Sequence, residues 1–281
     1  MLIEKERKLK EVAAKLRILT LKSIFLAKSG HPGSSLSCLD ILLYLYKNVL
    51  NVSPSFAKSP ERDRFVLSKG HAAPALYSVL AECGFLKFSE LESLRKINSS
   101  LQGHPNMNST LGVDFSTGSL GQGVSAACGM AAGLKLDESN ARVYCLVGDG
   151  ELEEGQVFEA FTFAVHKKLF NLCFIVDNNG LQIDGTIKEV AGLDNICERF
   201  DAFGLNVLEI DGHSFNDMEI AFERAKEEKE RPTIVVAKTV KGKGVSFMEN
   251  VVSWHGKPPN EEQLMQSIKE LEEELKKISL E

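Results

Sequence analysis

The apolar and polar positions divide the chain into an opening helical stretch and a later alternation of strands and helices. Residues 5–28 set apolar side chains at helical spacing among lysines and glutamates, and 36–49 (LSCLDILLYLYKNV) read as a second helix. A short strand is expected at Arg64–Leu67, with helices over 72–83 and 89–96. Beyond them lie ARVYCLV (141–147), NLCFIVD (171–177), NVLEI (206–210) and TIVVAK (233–238). Each is short, rich in β-branched residues and apolar on both faces, as a strand buried in a parallel sheet must be. Helical periodicity over 153–168, 190–203 and 214–229 separates these strands. The expected fold is therefore α/β, a doubly wound parallel sheet with helices on both faces. The final stretch, 261–278, reads as an amphipathic helix packed by one apolar stripe.

No change of composition marks a boundary and no repeat occurs, so residues 1–281 are read as a single domain. The irregular segment 98–121 is too long for a simple connection, which makes it a candidate functional loop. The longest uncharged window, 115–134, matches a membrane span in length but holds five glycines and lacks sustained large apolar residues. It reads as a loop entering a tightly packed helix. A charged, helix-patterned N-terminus is not a signal peptide, and a net charge of −6 offers no basic footprint. Neither a membrane nor nucleic acid is an expected partner. Six cysteines at 38, 83, 128, 145, 173 and 197 lack any CxxC pair, which fits buried free thiols and a reducing, cytoplasmic location.

Candidate chemistry concentrates after two of the strands. Gly148-Asp149-Gly150 follows ARVYCLV, and Asn178-Asn179-Gly180 follows NLCFIVD. Open parallel sheets bind ligands beyond the carboxyl ends of their strands. Glycines beside Asp149 let the backbone approach a phosphate, while Asp149 and Asn179 offer hard oxygens suited to Mg²⁺. A helix starting near Glu153 would add its positive end. Either tripeptide alone is equally a surface turn. The 27 residues between Gly150 and Asn178 form one strand–helix–strand excursion, which returns the chain beside where it left.

Around these two motifs run SGHPGSS (29–35), SKGHAAPALY (68–77), QGHPN (102–106), TGSLGQGVSAACGMA (117–131), GDGELEEGQVFEA (148–160), DNNGLQIDG (177–185), DGHS (211–214), KTVKGKGVSF (238–247) and WHGKPP (254–259). In this order they resemble thiamine-diphosphate enzymes, and transketolases in particular, over about nine tenths of the chain. The resemblance implies a thiamine-diphosphate PP-domain fold and the N-terminal, diphosphate-binding subunit of a split transketolase. It implies thiamine diphosphate with Mg²⁺ (Ca²⁺ or Mn²⁺ being admissible), the metal held by Asp149, Asn179 and the Leu181 carbonyl. Gly150, Ile183, His71, His255 and the loop of Gly118, Ser119 and Leu120 match cofactor contacts. His31, His104 and His255 match residues that meet sugar hydroxyls or move protons, a role suited to neutral imidazoles.

The implied reaction moves a two-carbon ketol unit from a ketose phosphate to an aldose phosphate, as in the pentose phosphate pathway. The chain ends some twenty residues after WHGKPP. The expected partner is therefore a C-terminal subunit carrying the pyrimidine-binding domain and its glutamate, in a two-plus-two heterotetramer. A deoxyxylulose-phosphate synthase and a 2-oxo-acid decarboxylating subunit are rivals, but TGSLGQG with SGHPGSS favours transketolase. A specialised enzyme for an unusual pentose phosphate also fits. A non-catalytic regulatory homologue would be favoured by loss of Asp149 or Asn179, and both are present. A plain nucleotide-binding α/β module is disfavoured, because the chain has no GxGxxG after a first strand and no P-loop.

Other residues carry blander expectations. His166 falls inside a helix, and His213 reads as a turn residue bonding nearby backbone. Trp254 is expected to pack against the loop of His255. Glu154 matches a glutamate at the contact between cofactor-binding halves, whereas Glu151 and Glu153 read as surface charge. Lys241 and Lys243 read as solvated, and Lys238 is open between solvent and a phosphate.

Overall fold

The computed structural model describes residues 1–192 and 195–280. A parallel sheet forms from β1 (Arg64–Leu67), β2 (Val143–Gly148), β3 (Leu172–Asn178), β4 (Asn206–Asp211) and β5 (Thr233–Lys238), in the order β1-β2-β3-β5-β4. The helices are α1 (Ile3–Ala27), α2 (Pro32–Tyr44), α3 (Ala73–Glu82), α4 (Gln122–Leu136), α5 (Gly155–His166), α6 (Ile187–Val190), α7 (Ile196–Ala202), α8 (Phe215–Glu227) and α9 (Glu261–Ile278).

Two-sided burial follows from strand alternation. Phe65, Leu67, Tyr144, Leu146, Cys173 and Ile175 face the core shared with α1, α2, α3 and α8. Their neighbours Val66, Cys145, Val147, Phe174 and Val176 face a second core with α4, α5 and α7. The doubly wound α/β expectation therefore holds. A third, smaller core joins α1 and α9 to the segment holding Val245, Met248 and Trp254.

The elements differ from expectation mainly at their ends. Helix α2 starts at Pro32, not at 36, because Pro at its first positions is preorganised and every residue from Pro32 to Tyr44 is buried. Tertiary contact there overrides the weak helix propensity of Gly33, Ser34 and Ser35. Gly33 is needed: a Cβ would come within 2.9 Å of the Trp254 carbonyl oxygen. The last turn widens into a π-helix over Leu45–Val49. The helix expected over 89–96 is a 3-10 segment, Phe88–Ser93. That expected over 153–168 is preceded by a 3-10 turn at Gly150–Glu153. The span 190–203 is interrupted, with α7 starting only at Ile196, and its residues 193 and 194 lie outside the described residues. Segment 98–121 carries neither helix nor strand, as expected of a loop. No helix is long and apolar enough to cross a membrane among the described residues.

Candidate active site

Because all strands run one way, Ser68, Gly148, Asn178 and Thr239 emerge at the same edge of the sheet. A cleft of about 220 Å³ opens there, lined on its floor by Lys69, Asp149 and Glu151 and on its walls by Asn179, Leu181 and three histidines.

Asp149 is 5% exposed and spends its oxygens on two turn amides, Oδ1 accepting from Gly150 (2.9 Å) and Oδ2 from Gly180 (2.6 Å). This carboxylate thus ties the GDG turn to the NNG turn. Burial, and then the nearby Asp177 charge, push it up to about 6, leaving a carboxylate short of positive charge. Asn179 Oδ1 caps its own turn by accepting from Leu181 N (3.2 Å). The Leu181 carbonyl accepts from Lys241 Nζ at 3.1 Å. No three His, Cys, Asp or Glu side chains converge on a metal position among the described residues. A cation here would need the mixed set of carboxylate, amide and main-chain oxygens, with further ligands from a phosphate, as hard Mg²⁺ accepts. The donor chemistry fits that ion.

Four imidazoles crowd one side. His31 stands 5.2 Å from His71, 5.4 Å from His255 and 6.3 Å from His104 between ring centroids, and His71 and His255 are 5.2 Å apart. Burial, with Arg95 and nearby lysines, pushes His31 down to about 4, while burial with Lys241 brings His255 to about 3. His71 and His104 are also lowered, chiefly by burial. All four are neutral near pH 7. Lys241 donates to His255 Nδ1 at 3.1 Å, so that ring carries its proton on Nε2. Gly118, Leu120, Gly150 and Ile183 line the cleft, Ile183 with 65% of its surface exposed. Ser119 is exposed beside them, and His104 packs near Gly118.

Some expectations need correction. Lys241 is not solvated: it is 1% exposed, its ammonium touches the cleft-lining Leu181 carbonyl and His255, and burial and Lys69 push it down to about 8. Glu151 is not surface charge. It is 2% exposed and accepts from Ser68 Oγ, from Gly121 N (2.8 Å) and from Gly148 N (3.1 Å). It thereby ties the 117–121 loop, whose Gly121 has φ +82°, to the GDG turn. Glu153 is half-buried and accepts from Gln182. Cys83 and Cys197 are only half-buried, unlike the other four thiols, though all six are free. Lys238 is exposed in an ion pair with Glu209, away from the cleft floor, and Lys243 pairs with Glu249. Glu154 is exposed. Trp254 is buried against Phe247 in the turn before His255.

The buried base of the site escapes a reading by motif. Lys69 pairs with Asp177 and donates to the Ser34 carbonyl at 3.2 Å, while Ser37 (2.6 Å) and Thr239 also donate to Asp177. The signal that could find it is a charge directly closing an apolar strand: Lys69 just after RFVL, and Asp177 at the end of NLCFIVD.

Comparison with known proteins decides the family. Residues 8–277 match the model described as "Transketolase, thiamine diphosphate binding domain". The chain belongs to that family. Human transketolase is 45% identical over 269 residues, covering 95% of this chain and 42% of that protein. The transketolase structure from Campylobacter jejuni superposes with a TM-score of 0.87 at 36% identity, over 94% of this chain and 42% of that one. The chain thus spans about two fifths of the length of these transketolases. One subunit of the apulose-4-phosphate transketolase of Phocaeicola vulgatus is 40% identical, covering 92% of both chains. The 6-deoxy-6-sulfo-D-fructose transketolase subunit SqwG of Clostridium sp. strain MSTE9 is also 40% identical, over 96% of this chain and 98% of that one.

Proposed function

We propose that this chain is the diphosphate-binding subunit of a split transketolase, working with a second subunit that carries the pyrimidine-binding domain. The observation that carries the reading is the convergence of Asp149, Asn179 and the Leu181 carbonyl beside the Lys241 ammonium, at the carboxyl edge of a parallel sheet. Asp149, Asn179 and Leu181 would hold a divalent ion, Mg²⁺ by its preference for hard oxygens. Lys241, His71 and the amides at Gly118–Leu120 and Gly150 would face the diphosphate, and Ile183 would border the reactive ring. When bound, thiamine diphosphate supplies the nucleophilic carbon and the electron sink for breaking and remaking the sugar carbon–carbon bond.

This chain's own share is binding and proton handling. His31, His104 and His255, all neutral, can donate to or accept from the hydroxyls and carbonyl of a ketose phosphate as charge develops. The Lys241 contact leaves the His255 Nε2–H as a donor. Glu154, exposed at the mouth of α5, would meet the partner half. Two-plus-two assembly, a cytoplasmic setting and a pentose phosphate role belong to this proposal. Two relatives of matching length are named as transketolase subunits, which supports the split arrangement.

The same two names support a narrower version, in which the chemistry is kept and the substrate is an unusual sugar such as apulose 4-phosphate or 6-deoxy-6-sulfo-D-fructose. Co-purification of the chain with its partner, followed by ketol-transfer assays of each chain alone and mixed, tests the proposal. Activity only on mixing supports it, and full activity from this chain alone would sink it. A panel of ordinary, branched and sulfonated ketose donors then separates the two versions.

A further inference from the structure

His213 lies outside the cleft, in the turn after β4, yet it ties together helix α2 and the segment after β5, which carry His31 and Lys241. Its Nδ1 lies 2.7 Å from Asp40 Oδ2, on α2, and its Nε2 accepts from the Val240 amide at 2.9 Å. Asp40 is buried, and the same oxygen takes Arg17 Nη2 from α1 at 2.6 Å. Burial alone would raise Asp40, but the Arg17 guanidinium and the His213 bond hold it down to about 2, so it stays an acceptor. An acceptor at Nδ1 and a donor at Nε2 allow one state of the ring, the neutral Nδ1–H tautomer.

Val240 directly precedes Lys241 in a strap leaving β5. On either side of it, Thr239 N donates to the Asn178 carbonyl (3.1 Å) and Gly242 N donates to the Gly33 carbonyl (3.0 Å). Between these anchors the His213 bond ties the Val240 amide to the body of the fold, and the position of that peptide sets where the Lys241 ammonium reaches. Asp40 belongs to the helix whose first turn bears Ser34 and whose N-cap is His31. The chain Arg17–Asp40–His213–Val240 therefore sets the strap against α2, whose first turn lines the cleft.

We propose that His213 is a positioning residue: by holding the Val240 amide in register with Asp40 on α2, it aims Lys241 at the cofactor diphosphate and at His255. The inference rests on the proposed cofactor role of the cleft. It predicts an effect on diphosphate affinity without any contact between His213 and the ligand.

Two substitutions test it in the chain assembled with its partner. His213→Phe keeps the ring volume and removes both bonds, whereas His213→Gln keeps an acceptor for the Val240 amide. Loss of one such bond is worth roughly tenfold in affinity. Binding of thiamine diphosphate with saturating Mg²⁺, read by calorimetry, should weaken roughly tenfold in His213→Phe and recover largely in His213→Gln. Hydrogen exchange over residues 239–250, measured without cofactor, should quicken in the first variant and not in the second. Wild-type affinity and exchange in His213→Phe overturn the inference. So does a variant that is merely less stable, with cofactor affinity unchanged once folded. Should His213→Phe fail to assemble, faster strap exchange and weaker binding in His213→Ala, set against His213→Gln, decide the same question. Failure of the wild-type assembly to bind the cofactor would instead sink the functional reading on which this one stands.

Discussion

Lys69 and Asp177 form an ion pair under the cleft floor, with 1% and 0% of their side chains exposed. One follows β1 and the other lies in β3, so the pair crosses beneath β2 and the GDG turn. Burial disfavours both charges, yet each is held ionised by the other, Lys69 raised and Asp177 lowered. Ser37, Thr239 and the Ser34 carbonyl complete the shell.

Lys69→Met should accordingly destabilise the fold by about 3–5 kcal/mol, because it strands a buried carboxylate. Urea denaturation of the single chain measures this. The double change Lys69→Met/Asp177→Leu should recover part of the loss. A Lys69→Met midpoint equal to wild type would mean that the pair is solvated.

Asp149→Ala should abolish the metal-linked part of thiamine diphosphate binding in the assembled enzyme, since the other ligands expected from the protein, the Asn179 amide and the Leu181 carbonyl, are uncharged. Calorimetry with and without chelator reads it. Equal affinities for mutant and wild type under both conditions would remove the clamp assignment.

Lys241→Met should weaken cofactor affinity roughly 10- to 100-fold, the range for a charge-assisted hydrogen bond. The methionine fills the same buried volume, so thermal stability of the free chain should change far less. An unaltered dissociation constant would show that the ammonium serves only the Leu181 carbonyl and His255.

Much of this is legible in the sequence, and the exceptions share a cause. Strand positions follow from runs apolar on both faces, and the GDG and NNG turns from their place after two of those runs. Helix α2 begins earlier than its apolar pattern suggests: PGSS has loop propensity, and its helical state comes from burial against the 252–255 turn. Lys241 and Glu151 look solvated in the sequence because single lysines and glutamates usually are. Their burial depends on partners 60 and 83 positions away, Leu181 and Ser68, which no local pattern reveals. The four histidines stand out as site candidates from their glycine-flanked motifs; their shared neutrality does not, since it arises chiefly from burial.

That neutrality carries a pH dependence. Burial, then Arg95 and His104, lower His31 to about 4, whereas an unfolded chain takes up this proton near ~6.5. Acidification between about 6.5 and about 4 therefore favours the unfolded chain, and below about 4 the folded protein is protonated too and loses no more on this account. His31→Gln should flatten that decline. Urea midpoints at pH 7 and pH 5 measure the effect, and parallel slopes for variant and wild type would contradict it.

The cleft joins His31 near one end of the chain to His255 near the other, and α9 packs back against α1. Such long-range closure makes folding slow, because loops of great length must be drawn together before their contacts reward it. A nascent chain on the ribosome can pair β1, β2 and β3 and make the GDG and NNG turns well before the Lys241 strap is synthesised. Until residues 239–255 emerge, that half-made sheet lacks the wall bearing His255 and the Lys241 that bonds it. In the proposed reading, cofactor capture therefore waits on residues 239–255 and cannot precede them.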